Sequence, residues 1–163
     1  MKNTKRQQVP LKSLIPLTGS WAISMDGSTN QLKLTKTKAA ETGKVAAEIT
    51  PPVPAQREPF VGHRLKSVEF SGVIADAVQS SLSIDIYKTI LGNANATTNS
   101  IAVGTTGVPT EVGEFTAKAD VDEPVVDGKS KYFAALSAAC ASTCGIDIRG
   151  VMASFEEVDD TRM

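Results

Sequence analysis

The sequence predicts an all-β protein: a single β-sandwich, jelly-roll-like, with an extended N-terminal arm. Three observations carry this. Apolar residues recur mostly at period two, the spacing of a strand with one face on a core and the other in water. The runs are short and are separated roughly every ten residues by loop-forming Gly, Pro, Asn and Asp. The chain of 163 residues is long enough for one core and too short for two. About eight to ten such strands suit an eight-stranded jelly roll, and the absence of an internal repeat argues against a propeller or solenoid.

Taken in order, residues 1–18 read as the arm: Lys2, Lys5, Arg6 and Lys12 precede and punctuate the apolar anchors Val9, Leu11, Leu14 and Ile15. Residues 19–157 read as the sandwich and 158–163 as an acidic tail. Trp21, Ile23 and Met25 alternate with small residues and are followed, across Asp26-Gly27-Ser28-Thr29-Asn30, by Leu32 and Leu34, the pattern of a hairpin. Ala39 to Glu48 has helical composition interrupted by Gly43, and Pro51, Pro52 and Pro54 stop regular structure after it. Leu65 to Phe70 continues through Gly72 into Val73-Ile74, a strand bent or bulged at the glycine. Leu82, Ile84 and Ile86 give the clearest strand, continuing to Ile90. Shorter strands are expected over Ser100 to Val103 and Val112 to Ala119, flanking a loop at Gly104 to Pro109. Ser130 to Ala141 fits both a helix and a strand; the strand is chosen because Ser142-Thr143-Cys144-Gly145 then closes a hairpin onto Ile146 and Ile148. At Gly150 the inward phase passes to Val151, Ala153 and Phe155, as at a bulge.

Composition excludes more than it assigns. Ala, Ser, Thr and Gly dominate over nine Leu and eight aromatic residues, so the core is expected to be thin and built of Val and Ile. A net charge of −1 argues against a surface made to hold nucleic acid, and no specific nucleic acid is expected as a partner. No window approaches a membrane span and the N-terminus lacks a secretory apolar region, so no membrane association or export is expected.

With one His and two Cys, most metal and histidine-dependent hydrolytic sites lack their residues. His63 has no nucleophile in a recognisable context beside it and reads as a hydrogen-bonding or surface residue. Cys140 and Cys144 lack the further ligands that zinc needs; across a tight turn their spacing permits a hairpin disulfide, and in a reducing cytoplasm they stay as two small thiols. Asp120, Asp122, Glu123 and Asp127 break the calcium-loop pattern at Pro124 and read as a solvated acidic loop. No catalytic residue, metal or cofactor is expected, and the protein is not expected to be an enzyme.

Three blocks together carry a family likeness: Gly62-His63-Arg64-Leu65-Lys66-Ser67-Val68-Glu69-Phe70, then Leu82-Ser83-Ile84-Asp85-Ile86-Tyr87-Lys88, then Tyr132-Phe133 onward to Ile148-Arg149-Gly150-Val151-Met152-Ala153. In order and spacing they resemble the small β-sandwich virion surface proteins of tailed bacteriophages, the capsid decoration proteins and head-fibre or tail-fibre modules. The resemblance covers roughly residues 60–156 and is one of strand pattern, so it transfers no functional residue. It implies a jelly-roll-like sandwich, a homo-oligomer and a non-catalytic place on the particle surface.

The first 55 residues depart from the pattern and read as an arm, extra strands or a docking element. The expected function is therefore a bacteriophage structural protein that decorates or cements a capsid built by another protein. It would be assembled in the host cytoplasm and carried on the virion, with a trimer as the expected oligomer and the major capsid protein or another virion protein as partner. The arm residues Lys2, Lys5, Arg6, Val9, Leu11, Lys12, Leu14 and Ile15 are the expected docking element. The alternative is a carbohydrate-binding or host-attachment module on the virion surface, for which Trp21, Tyr87 and Tyr132 are the candidate aromatic platforms, although each lies in a strand context that tends to bury it.

Overall fold

Strand residues with alternating apolar side chains bury one face only by pairing edge to edge and then stacking sheet on sheet. The computed structural model describes residues 4–36, 41–50, 61–75, 81–90, 97–103, 111–121, 130–139 and 145–159. Within them lie β1 (Thr4–Gln8), a 3-10 turn (Leu11–Ser13), β2 (Ile15–Thr18), β3 (Trp21–Met25), β4 (Leu32–Lys36), β5 (Gly43–Ile49), β6 (Val61–Ala75), β7 (Ser81–Ile90), β8 (Thr97–Val103), β9 (Gly113–Asp120), β10 (Ser130–Ala139) and β11 (Gly145–Asp159).

One sheet runs β3-β4-β11-β6-β9, with β1 also paired to β11; the other runs β2-β5-β10-β7-β8. The antiparallel pairs β4 with β11, β5 with β10, β6 with β9 and β7 with β8 are nested one inside the next. A long hairpin wound so that its successive pairs fall alternately in the two sheets is a jelly roll. The expected all-β sandwich is therefore the fold observed.

The inner faces meet through Val45, Ile49, Ile84, Ile86 and Leu136 from the five-stranded sheet and Leu65, Val68, Phe70, Ile74, Val151 and Phe155 from the six-stranded one. Ala47, Ala117, Ala134, Ala138 and Ala153 stand buried between them, as the alanine-rich composition implies. Lys36 is fully buried, and a Cβ at Gly43 would meet its Cδ and the Trp21 ring, so the glycine leaves room for both side chains.

Two register shifts bend the central pair β6 and β11. One lies between Ile148 and Gly150 of β11, as the change of inward phase predicts, and leaves Arg149 as the extra residue. That shift falls between the pairs Gly72–Ile148 and Ser71–Gly150, so the irregularity expected at Gly72 is present with its extra residue on β11; the other shift leaves Lys66 as the extra residue of β6. Gly72 has another reason to be glycine. A Cβ there would overlap the backbone carbonyl oxygen of Asp147, so β11 crosses too close for any side chain. In the β3–β4 loop the positive φ belongs to Asn30 (55°).

The N-terminal region corrects the expectation of an extended arm. Residues 4–8 pair with Met152–Glu156 of β11, and residues 15–18 pair with β5, so the segment contributes a strand to each sheet. Val9 and Leu14 are buried in the core with Leu11 packed against it. Of the readings left open for this region, extra strands is the one observed over residues 4–36. β5 corrects the helical reading of Ala39 to Glu48, because Val45, Ala47 and Ile49 alternate onto the core. β10 has the strand chosen for Ser130 onward, with Tyr132, Ala134, Leu136 and Ala138 inward.

Candidate functional site

The inward set of each strand fixes what the outer faces carry. On the five-stranded sheet, directly paired residues form rows across β5, β10 and β7: Lys44, Ser137 and Ser83; then Ala46, Ala135 and Asp85; then Glu48, Phe133 and Tyr87. Opposed residues of an antiparallel pair share a face, and these rows lie opposite in phase to the buried Val45, Leu136 and Ile84. The outer face therefore carries an aromatic pair at one end and hydroxyl and charged groups around it.

Tyr87 and Phe133 are partly exposed and stack with ring centroids 4.8 Å apart and planes 16° from parallel. Lys44 reaches past the alanine row to place Nζ 5.8 Å from the Tyr87 ring centre, within range of a cation–π contact. The Tyr87 hydroxyl donates to Asp85 Oδ2 at 3.4 Å. Ala46 and Ala135 are buried although they point outward, because the larger side chains of the neighbouring rows stand above them. The arrangement is a rigid apolar platform on strand backbone, with Lys44 as donor and Asp85 and Glu48 as acceptors at its margin.

The other candidate aromatics are not platforms. Tyr132 is buried on the inner face with Lys88 Nζ 5.8 Å from its ring centre. Trp21 is partly buried, and its indole N–H donates to the Thr18 carbonyl at 2.9 Å. Phe133, which does belong to the platform, went unread because both phases of β10 are apolar. The alternation of Tyr132, Ala134 and Leu136 was the available signal that Phe133 points the other way.

The eight expected docking residues do not form one surface. Lys2 lies outside the described residues. Lys5 pairs with Glu157 at 2.7 Å. Val9 and Leu14 are core, Leu11 packs against it, and Arg6, Lys12 and Ile15 are exposed. Arg6 lines a groove of about 590 Å³ with Lys66, Lys118, Asp120 and Glu156, where mixed signs cancel any strong field. Cys140 and Cys144 lie outside the described residues, as do the loop at 104–109 and all of the acidic cluster except Asp120.

His63 is buried rather than on the surface. It packs edge-on against Phe155 at 6.4 Å, its Nε2 has no hydrogen-bond partner, and Glu157 Oε1 lies 4.0 Å away. Burial, reinforced by Lys5 and opposed by Glu157, pushes its pKa below the ordinary imidazole value. An apolar cleft of about 640 Å³ lies against the 3-10 turn, walled by Val9, Leu11, Ile23 and Leu32 and by Arg149. Arg149 is engaged there: its Nη2 donates to Asp26 Oδ2 at 2.8 Å and Nη1 to Gln31 Oε1 at 3.3 Å. Hydrogen bonds from the Ser28 backbone and hydroxyl, together with Arg149, hold the Asp26 carboxyl well below the usual range. Among the described residues no cluster of His, Cys, Asp and Glu could hold a metal ion, and no helix is long and apolar enough to cross a membrane.

The sequence matches no family model and no curated protein. Among solved structures the chain is similar to TmCBM27, a carbohydrate-binding module described for specific mannan recognition, at 9% identity over 94% of this chain and 98% of that one, with a TM-score of 0.44. It is also similar to TmCBM61, solved with β-1,4-galactotriose, at 12% identity over 91% and 86% of the two chains and a TM-score of 0.40. A third is the enzymatically active domain of tailspike protein 4 of bacteriophage CBA120, at 9% identity over 93% of this chain and 19% of that one, with a TM-score of 0.39. These likenesses are remote, and no residue or activity passes from them to this chain.

Proposed function

We propose that the protein is a non-catalytic module that binds carbohydrate on the outer face of its five-stranded sheet. The observation that supports this is the Tyr87–Phe133 pair, partly exposed on a face where strand geometry would accommodate polar side chains, and bordered by Lys44, Glu48 and Asp85. A sugar ring has an apolar C–H face and a rim of hydroxyls. It needs an apolar surface beside donors and acceptors, and the three rows supply both over about 13 Å along the strands. Because the platform sits on paired strands, little ordering is lost on binding.

The test is binding of the full chain to a panel of soluble polysaccharides and oligosaccharides, by affinity electrophoresis and calorimetry. At least one glycan class should bind. Tyr87→Ala and Phe133→Ala should each weaken it tenfold or more, and Val112→Ala, exposed on the other sheet's side of the molecule, should leave it unchanged. Binding that survives both aromatic substitutions, or no binding across the panel, would refute the reading. A second reading is attachment to a phage particle as a surface protein. It is supported by the sequence resemblance and by the exposed apolar residues Ile15, Leu17, Ile23, Met25 and Leu32; detection of the chain by mass spectrometry in purified particles tests it.

A further inference from the structure

We infer that β3 is the contact strand of a two-fold homodimer, in which two copies pair antiparallel through Trp21–Met25 and join their six-stranded sheets edge to edge. Among the described residues β3 ends its sheet and pairs with β4 alone. Which of its backbone groups face outward follows from the hairpin. Asp26 N–H donates to the Gln31 carbonyl at 2.8 Å, so those two residues form a hydrogen-bonded pair. Antiparallel ladders alternate. The pairs Ser24 with Lys33 and Ala22 with Thr35 are then hydrogen-bonded, and Trp21, Ile23 and Met25 turn their N–H and C=O groups away from β4, towards the open edge.

A second copy fits this edge in one register. Centred on Ile23, antiparallel pairing sets Ile23 against the second copy's Ile23, and Trp21 against its Met25. All three outward N–H groups of each strand then meet outward carbonyls, giving six hydrogen bonds. The strand carries no charge and no proline, so no like charges are brought together and no donor is missing. Sheet edges usually prevent such pairing with charges or proline. The opposite edge of this sheet, β9, does so with Glu114, Lys118 and Asp120, and one of the two edges of the other sheet, β2, carries Pro16.

The side chains favour the same partner. Ile23, Met25 and Leu32 share one face of the hairpin and are 49%, 60% and 53% exposed. Large apolar residues open to that degree leave on the order of 300 Å² in one patch, at the size where patches on monomers become functional. The two-fold axis stands perpendicular to the sheet and keeps both patches on one side, extending the row Leu34–Ile23 into the second copy's Ile23 and Leu34. An isologous contact of this kind closes after two copies and leaves no further β3 edge for growth. It contradicts the trimer expected from the sequence and is independent of the carbohydrate platform on the other sheet.

Sedimentation velocity of the full chain at micromolar concentrations should show a concentration-dependent dimer, and Ile23→Lys should weaken it at least tenfold without altering the strand spectrum. For register, Ile23→Cys in a chain also carrying Cys140→Ser and Cys144→Ser should oxidise to a covalent dimer, because directly paired residues hold their Cα atoms about 5.5 Å apart, within disulfide reach. Val112→Cys in the same background reports random collision. A monomer at all concentrations, a trimer or larger assembly, a dimer indifferent to Ile23→Lys, or equal cross-linking at residues 23 and 112 would each overturn the inference.

Discussion

Replacing Gly72 with alanine adds a single methyl group, and the surrounding geometry makes it an unusually costly one. The new Cβ would overlap the Asp147 carbonyl oxygen and lie 2.9 Å from its carbonyl carbon and 3.1 Å from Ile148 Cα. All three neighbours are backbone, so no rotamer change relieves the overlap; β11 itself must move away from β6. Overpacking of this kind costs up to about 3 kcal/mol. Ladder hydrogen bonds weakened by the displacement add about 1 kcal/mol each, while stiffening the unfolded chain returns roughly 0.4–1 kcal/mol. The net expectation is a loss of about 3 kcal/mol, equivalent to a fall in Tm of about 6–12 °C for a domain of this size. Urea denaturation followed by far-ultraviolet circular dichroism measures it. Gly150→Ala is the internal control, since its Cβ would meet only the Ser71 hydroxyl, at 2.9 Å, which can rotate aside. A Gly72→Ala protein within 1 kcal/mol of the parent, or no less stable than Gly150→Ala, would show that the strands do not approach as described.

Two further predictions concern the region where β1 meets β11. Deleting residues 1–12 should preserve a strand-dominated spectrum but lower stability by at least about 2 kcal/mol in urea denaturation, because it removes β1 and the buried Val9, whose side chain alone is worth about 1.5–3 kcal/mol. His63 should make stability depend on pH. Its folded pKa lies below the unfolded value of 6.5, so the unfolded chain takes up the proton first; stability is full above 6.5 and declines as pH falls from there towards the folded pKa. Urea midpoints between pH 7.5 and 5 should show that decline, and His63→Gln should flatten it; identical slopes would exclude His63 as its source.

The fold was legible wherever one face of a strand is apolar and the other polar. Leu82, Ile84 and Ile86 against Ser83, Asp85 and Tyr87 determine both strand and facing, and the phase change at Gly150 marks a bulge without knowledge of the partner. Legibility failed where both phases are alike. In β10 Tyr132 and Phe133 are adjacent aromatics, the alternation of Tyr132, Ala134 and Leu136 is a faint signal beside the apolar Phe133 and Ala135, and pairing with β5 and β7 fixes which is buried. It failed again at the N-terminus, where TKRQQ has the composition of a solvated tail; β1 is a strand because β11 offers it an unpaired edge beyond the end of β4. The candidate site depends on the same long-range pairing, so Tyr87 could be named from the sequence as an aromatic but not placed beside Phe133.

β11 is the spine of the six-stranded sheet, bonded along one side to β6 and along the other to β4 and then β1. During synthesis its partners leave the ribosome first, with the place between them vacant, and the apolar faces of β4 and β6 have no settled sheet to join until residues 145–159 emerge. Ordering must therefore wait for residues 145–159 and then proceed through contacts between residues far apart in sequence, the slow class of folding reaction. A nascent chain halted before β11 should bind chaperones and be digested by proteases as an unstructured polypeptide, and one halted after it should abruptly resist both.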